Sequence, residues 1–175
     1  RPAPRTIVGR HYRYPAGMAM AQIRCPGCGA TVDDIDGPVH RYIGSAPACW
    51  AAYTELRTLG PVHQYAVDAY AAQHPGVPGP QSRRSVGKHL MSLCRVLERG
   101  APPESAVPFL ASVTRDFPWL EPPASLGDIT VFDVRAGTAT QIDWARSVWQ
   151  AWSPHHETVR GWLDDHRRGR QPATA

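Results

Sequence analysis

Cys25-Pro26-Gly27-Cys28-Gly29 brings two thiols together across a short turn, the arrangement with which a protein grips a soft metal ion. Glycines in such a turn let backbone N–H groups approach the sulfurs with no Cβ in the way. Cys49 follows further along, and Cys94 lies much further on. Three cysteines in the first third of the chain, with histidines downstream, point to one zinc site. A thioredoxin-like redox pair is the competing reading, but it needs a βαβ context, and no strand is readable before Cys25. A disulfide framework would require an oxidising compartment.

The totals set the frame around that turn. A chain of 175 residues suits one domain with a single core. Hydrophobic residues make up 42% of it and include six Trp, enough to fill an interior. Eighteen Pro and fifteen Gly imply many loops and short elements. No apolar run approaches the roughly 20 residues that span a bilayer, and no signal peptide is recognisable. A cytoplasmic protein with no membrane association is therefore expected.

The formal charge of +4 is unevenly placed. Residues 1–17 carry four Arg, and Arg167, Arg168 and Arg170 add three near the other end; residues 18–166 then hold 12 Lys and Arg against 15 acids, a net of −3. A nucleic-acid binder carries its basic residues on the fold itself, so nucleic acid is not the expected partner. Residues 1–20 read as a flexible extension, with the true start at Met18 or Met20, and 167–175 as a flexible basic tail. Residues 21–166 form the expected single helical metal-binding domain.

Periodicity makes that domain mainly α: a small helical bundle with an N-terminal zinc-knuckle-like segment and at most a minor β element. Cys49, Ala52, Tyr53 and Leu56 mark one face of a first helix, Ser45 to Leu59. A second helix opens at Gly60-Pro61 and runs to His74, before Pro75-Gly76. A third spans about Ser82 to Arg99, with Val86, Leu90, Leu93 and Leu97 inward and Cys94 among them as a buried thiol. Val107 to Phe117 gives a further short helix. Asp128 to Val134, rich in β-branched residues and flanked by Gly127 and Gly137, is the strand candidate. Gln141 to His166 forms the last element, restarted at Pro154 with Ser153 as cap. Trp144, Trp149, Trp152 and Trp162 read as core.

Three cysteines need a fourth ligand. His63 and His74 stand 11 residues apart, about 16 Å on an intact helix, so they cannot share an ion. His156 is the expected fourth ligand, since an imidazole on a helix face of Trp and Val needs a polar partner or a metal; His155 and His40 are the alternatives. An open, water-filled position would make the site catalytic in type. Asp68, Tyr70 and His74 form the densest polar set, to which His89 can converge. Asp68 would orient a histidine there, and His74 or His89 would move a proton. The plainer alternative leaves Asp68 solvated.

Cys25-Pro-Gly-Cys28-Gly, His40-Arg-Tyr42, Cys49-Trp50, Val67-Asp68-Ala-Tyr70-Ala-Ala-Gln73-His74-Pro-Gly76 and Ser85-Val-Gly-Lys-His89-Leu together resemble a bacterial family of unknown function, domain of unknown function 5946. The likeness extends through Trp152-Ser-Pro-His155-His156, so it covers nearly everything after Met20. It implies a small soluble bacterial protein and carries no activity. Two functions follow from the residues. In the first, structural zinc ties the knuckle to a helical core that binds a protein partner or small ligand. In the alternative, a zinc enzyme uses three thiolates, an activated water and acid–base help from His74, His89 or Asp68. Three anionic sulfurs quench the ion's Lewis acidity, which favours the structural role.

Overall fold

The computed structural model of the chain describes residues 21–169. The cysteine turn sits on a small antiparallel hairpin, β1 (Gln22–Arg24) and β2 (Thr31–Asp33), paired in the register Gln22↔Asp33, Ile23↔Val32 and Arg24↔Thr31. A strand therefore does precede Cys25. It is three residues long, too short to show a period, and its antiparallel pairing gives no βαβ context. The expected extension 1–20 lies outside the described residues, as does 170–175 of the expected tail.

Helices make up the rest: α1 (Pro47–Leu59), α2 (Gln64–Gln73), α3 (Pro80–Leu97), α4 (Ala106–Ser112), α5 (Val131–Ala136), α6 (Gln141–Ala151) and α7 (His156–Arg168). The chain is mainly α among the described residues. The first three sequence-expected helices are present with ends shifted by a few residues. Pro61 stays in the loop before α2, whose N-cap is His63. The fourth stops at Ser112 rather than Phe117. Arg167 and Arg168, expected in a loose tail, belong to α7.

The strand expected at Asp128–Val134 is a helix instead. Thr130 accepts from the Phe132 N–H, and the Asp133 carboxylate accepts from the Thr130 N–H, closing a capping box. Gly137 ends the helix at φ 73°, where an L side chain would be strained. Caps at both ends outweigh the β-branched composition of so short a segment. Thr140 and Asp143 start α6 in the same way. Pro154 does interrupt the last element, through a 3₁₀ turn at Ser153–His155, but Ser153 makes no cap bond; His155 is the residue that precedes α7.

Helix α2 is the centre of the bundle. It packs against both α3 and α6, while α3 also holds α7 and α1 packs on α5. Ala66, Ala69, Ala71 and Ala72 are buried, and such small side chains let two neighbours approach one helix from different sides. The expected tryptophan core is present, with Trp144, Trp149, Trp152 and Trp162 all buried. Three of them also place their indole N–H: Trp144 on Gln73 Oε1 at 2.9 Å, Trp152 on the Ala72 carbonyl at 3.1 Å and Trp149 on Glu98 Oε1 at 3.1 Å. Buried indoles need such partners. Cys94 is buried as expected, and burial pushes its thiol up to about 11.

Glu98 anchors α7 to the end of α3. Arg160 donates two bonds of 2.7 Å to its carboxylate, and the Trp149 indole adds the third. The Arg160 guanidinium, first among these, holds the Glu98 carboxyl down to about 2 from 4.5. A folded pKa below the unfolded value means that this contribution is complete above about pH 4.5 and is lost as the pH falls toward about 2. Glu98→Gln should lower stability at neutral pH by about 1–2 kcal/mol and flatten the acid limb across that window. Denaturant unfolding measured at a series of pH values checks this; a variant curve parallel to the wild type would remove Glu98 as the anchor.

Candidate metal centre

Pro75 decides where the site forms. The residue before a proline is pushed out of the helical region, so α2 ends at Gln73 and His74 leaves helix geometry at φ −128°, ψ 62°. Its ring folds back, and Nδ1 lies 2.8 Å from the Tyr70 carbonyl, one turn earlier. A carbonyl can only accept, so Nδ1 carries the proton it donates to the last turn of α2. The tautomer is thereby fixed, with the Nε2 lone pair facing the opposite way. That lone pair points at sulfur: Nε2 stands 3.4 Å from Cys49 Sγ.

Cys49 lies in the first turn of α1 and is fully buried, as its inward position predicts. Its sulfur stands 3.8 Å from Cys28 Sγ, too far for a disulfide bond of about 2.05 Å. Cys25, Cys28, Cys49 and His74 place their four ligand atoms within 4.8 Å of one another. Cys25 and His74 are also buried, and only Cys28 is partly exposed. Four such donors in one place can hold a metal ion.

The knuckle is closed by its own backbone, Cys25 N–H on the Ala30 carbonyl at 2.8 Å and Gly29 N–H on the Cys25 carbonyl at 3.0 Å. Ala46 N–H reaches Cys25 Sγ at 3.4 Å, and the Tyr70 hydroxyl faces Cys49 Sγ at 3.8 Å. Gathered thiols oppose one another's ionisation. Bonds from Cys28 and then Cys49 hold the Cys25 thiol far below its ordinary range, while the bond with Cys25 pushes both Cys28 and Cys49 up. A bound divalent cation would reverse that balance by favouring thiolate at every sulfur.

Gly27 shows how tightly knuckle and helix meet. A Cβ there would lie 2.3 Å from His74 Cδ2, 2.7 Å from the Gln73 carbonyl and 2.8 Å from the Gly44 carbonyl. The second contact face is as close: Gly44 N–H bonds the His74 carbonyl at 3.1 Å, and a Cβ on Gly44 would fall 2.8 Å from Gly76 Cα.

The histidines expected as fourth ligand are elsewhere. His156 stacks on Trp149 with centroids 3.8 Å apart, and its Nε2 donates to the Trp149 carbonyl at 2.8 Å. It thus finds the polar partner its apolar surroundings demand without a metal. His155 donates to the Glu121 carbonyl at 2.8 Å. His40 packs edge-on against Tyr42 at 4.3 Å. His74, expected to move protons, is the histidine that joins the sulfurs. The signal for it is the Pro that follows, which frees a histidine side chain at a helix end.

Asp68 is not solvated; it is completely buried. Its carboxylate receives His89 Nδ1 at 2.7 Å, the Ser92 hydroxyl at 2.6 Å and Gln64 Nε2 at 3.0 Å. The expected convergence of His89 on Asp68 is present, on the side of α2 that faces α3. His74 belongs to the sulfur cluster, so the three residues expected to share acid–base work fall into two separate groups.

A family model matches residues 23–153, a span that holds the whole cysteine–histidine cluster and the Asp68–His89 pair. The chain belongs to the family of unknown function DUF5946. Neither the curated proteins nor the solved structures yield a match. This DUF5946 chain carries no described helix long and apolar enough to cross a membrane.

Gly27→Ala should destabilise the protein by about 2–3 kcal/mol, since two of the three atoms it meets are backbone oxygens that cannot rotate away. Gly60→Ala, with nothing within 4 Å of its Cβ, should stay within about 0.5 kcal/mol of wild type. Paired denaturant unfolding of the two variants checks this, and equal stabilities would contradict the packing of the knuckle on His74.

Proposed function

We propose that the four residues bind one zinc ion and that the metal is structural, clamping the N-terminal hairpin onto the helical core. The observation that carries this is the fixed tautomer of His74: its Nδ1–H is committed to a backbone carbonyl and its Nε2 lone pair faces three sulfurs. Metal-binding histidines are oriented in this way by a second hydrogen bond. The spacing agrees. Sulfurs about 2.3 Å from a tetrahedral zinc ion stand about 3.8 Å apart, and Cys28 and Cys49 are 3.8 Å apart. Three thiolates with one imidazole form a donor set typical of closed structural zinc sites.

The structural role follows from the ligand count and from burial. Four protein donors complete a tetrahedron, and the position that a reactive water would take in a three-cysteine site is supplied by His74. Cys49 and His74 have no exposed surface, so a substrate has no approach through them. The clamp joins three segments far apart in sequence: the hairpin, the start of α1 and the end of α2. Hairpin β1–β2 has only three residues per strand, and an isolated two-stranded unit of that size is marginal in water. Its order therefore depends on what holds it down.

Protein purified without added metal should contain about one zinc per chain, with three thiols that become reactive only after chelation. Removing the ion should lower the melting temperature by about 8–16 °C, the effect of losing about 4 kcal/mol of linked binding energy in a domain of this size. His74→Ala should cut zinc retention at least tenfold, whereas His156→Ala should leave it at one per chain. Elemental analysis and thiol titration of the three proteins decide the matter. Metal-free wild type with freely reactive thiols would overturn the zinc clamp, and loss of zinc in His156→Ala alone would overturn the assignment of His74.

A further inference from the structure

The Asp68–His89 pair is a buried polar system that a zinc clamp does not use. Asp68 is completely buried between α2 and α3, and three donors hold its carboxylate in one orientation. Because a carboxylate accepts, His89 Nδ1 carries a proton. In the neutral ring Nε2 is then an acceptor, and it makes no hydrogen bond with a described residue. The His89 side chain is 20% exposed and lines two neighbouring clefts.

The first is a cleft of about 210 Å³ whose walls are largely aromatic. Tyr53 and Tyr70 stack there with centroids 4.0 Å apart, and Trp50 leans over both at 5.6 and 5.8 Å. His40, on the same cleft, keeps a buried Nδ1 with no hydrogen-bond partner among the described residues. Tyr42, Ser85 and His89 continue into a neighbouring cleft of about 400 Å³ whose charged lining is Arg84, Lys88 and Asp116, a net positive set. Arg57 stands on the first cleft and Arg84 on the second, and neither forms an ion pair with a described residue.

Each feature selects one part of a ligand. Aromatic walls select a flat ring. A cavity of about 150 Å³ accepts benzene, so the first cleft admits one ring and little more. An acceptor nitrogen on a fixed imidazole selects a hydroxyl. Free guanidinium groups at the rim select a carboxylate, which they bind in a bidentate fork. We propose that this double cleft is a binding site for single-ring aromatic acids bearing a hydroxyl group, with the hydroxyl donated to His89 Nε2 and Asp68 acting as a positioning residue behind it. The proposal rests on the zinc clamp through Tyr70, which stacks on His74 at 4.1 Å, and through α1, which carries Cys49 as well as Trp50 and Tyr53.

The test uses the whole 175-residue chain as purified, with metal content measured in every sample so that loss of the clamp and loss of the cleft are read separately. 4-Hydroxybenzoate is the probe, followed by tryptophan fluorescence and by the side-chain nitrogen resonances of His89. Saturable binding at or below about 1 mM, a shift of the His89 Nε2 resonance, and at least tenfold weaker binding of benzoate are expected. His89→Gln should lose at least tenfold in affinity while keeping its metal. No saturation by about 10 mM probe, equal affinity for benzoate, or unchanged affinity in His89→Gln would each overturn the proposal. Should that variant fail to fold, the wild-type Nε2 resonance remains decisive: saturation without its movement also overturns it.

Discussion

The hydrogen bond from His74 Nδ1 to the Tyr70 carbonyl is the constraint around which the site and its helix are arranged. It is a helix-end bond with two consequences. It ties the ring to a carbonyl in the last turn of α2, and it fixes which nitrogen of the imidazole is free. A ring that turned in the other tautomer would present an N–H to the sulfurs and repel a cation. Pro75 sets up the bond by ending α2 one residue earlier, and Gly27 preserves the space in which the ring lies. Helix termination, capping and the donor set are thus one local arrangement.

Helix α2 carries different polar work on its different sides, which explains why it is buried on nearly all of them. Tyr70 faces Cys49, Asp68 meets His89 and Ser92 of α3, and Gln73 is bonded to Leu126, Ile129 and Trp144. Gln73 has no exposed surface, yet its amide donates at 3.1 and 2.9 Å and accepts at 2.9 Å. An apolar helix at this position could slide or rotate against its neighbours at little cost. Buried polar groups with fixed partners penalise such slips, because each displaced donor or acceptor would be left unpaired.

Much of this arrangement is legible in the residues alone. Helical periodicity locates the helices, the CxxC turn and Cys49 supply three of the four donors, and the tryptophans declare the core. The failures have specific physical sources. At Asp128–Val134 composition points to a strand, while the Thr130–Asp133 capping box and Gly137, both visible in the sequence, make a helix. Strand β1 escapes a reading by pattern because three residues carry no period. His156 is expected as a ligand on the sound rule that a half-buried imidazole needs a partner; the partner is the Trp149 carbonyl.

What the chain encodes directly is local: the knuckle, the helices that read by period, the proline that ends α2 and the burial of the apolar faces. All but the last depend on interactions within a few residues, where spacing is a reliable guide to distance, and the last follows from apolar periodicity. The identity of the fourth donor and the fate of Asp68 emerge only once the helices are packed. Cys49 and His74 are 25 positions apart and Asp68 and His89 are 21. Nothing in those separations says which pairs will meet. Contact there follows from how α2 rotates between α3 and α6, and that rotation is set by the packing of the whole bundle at once.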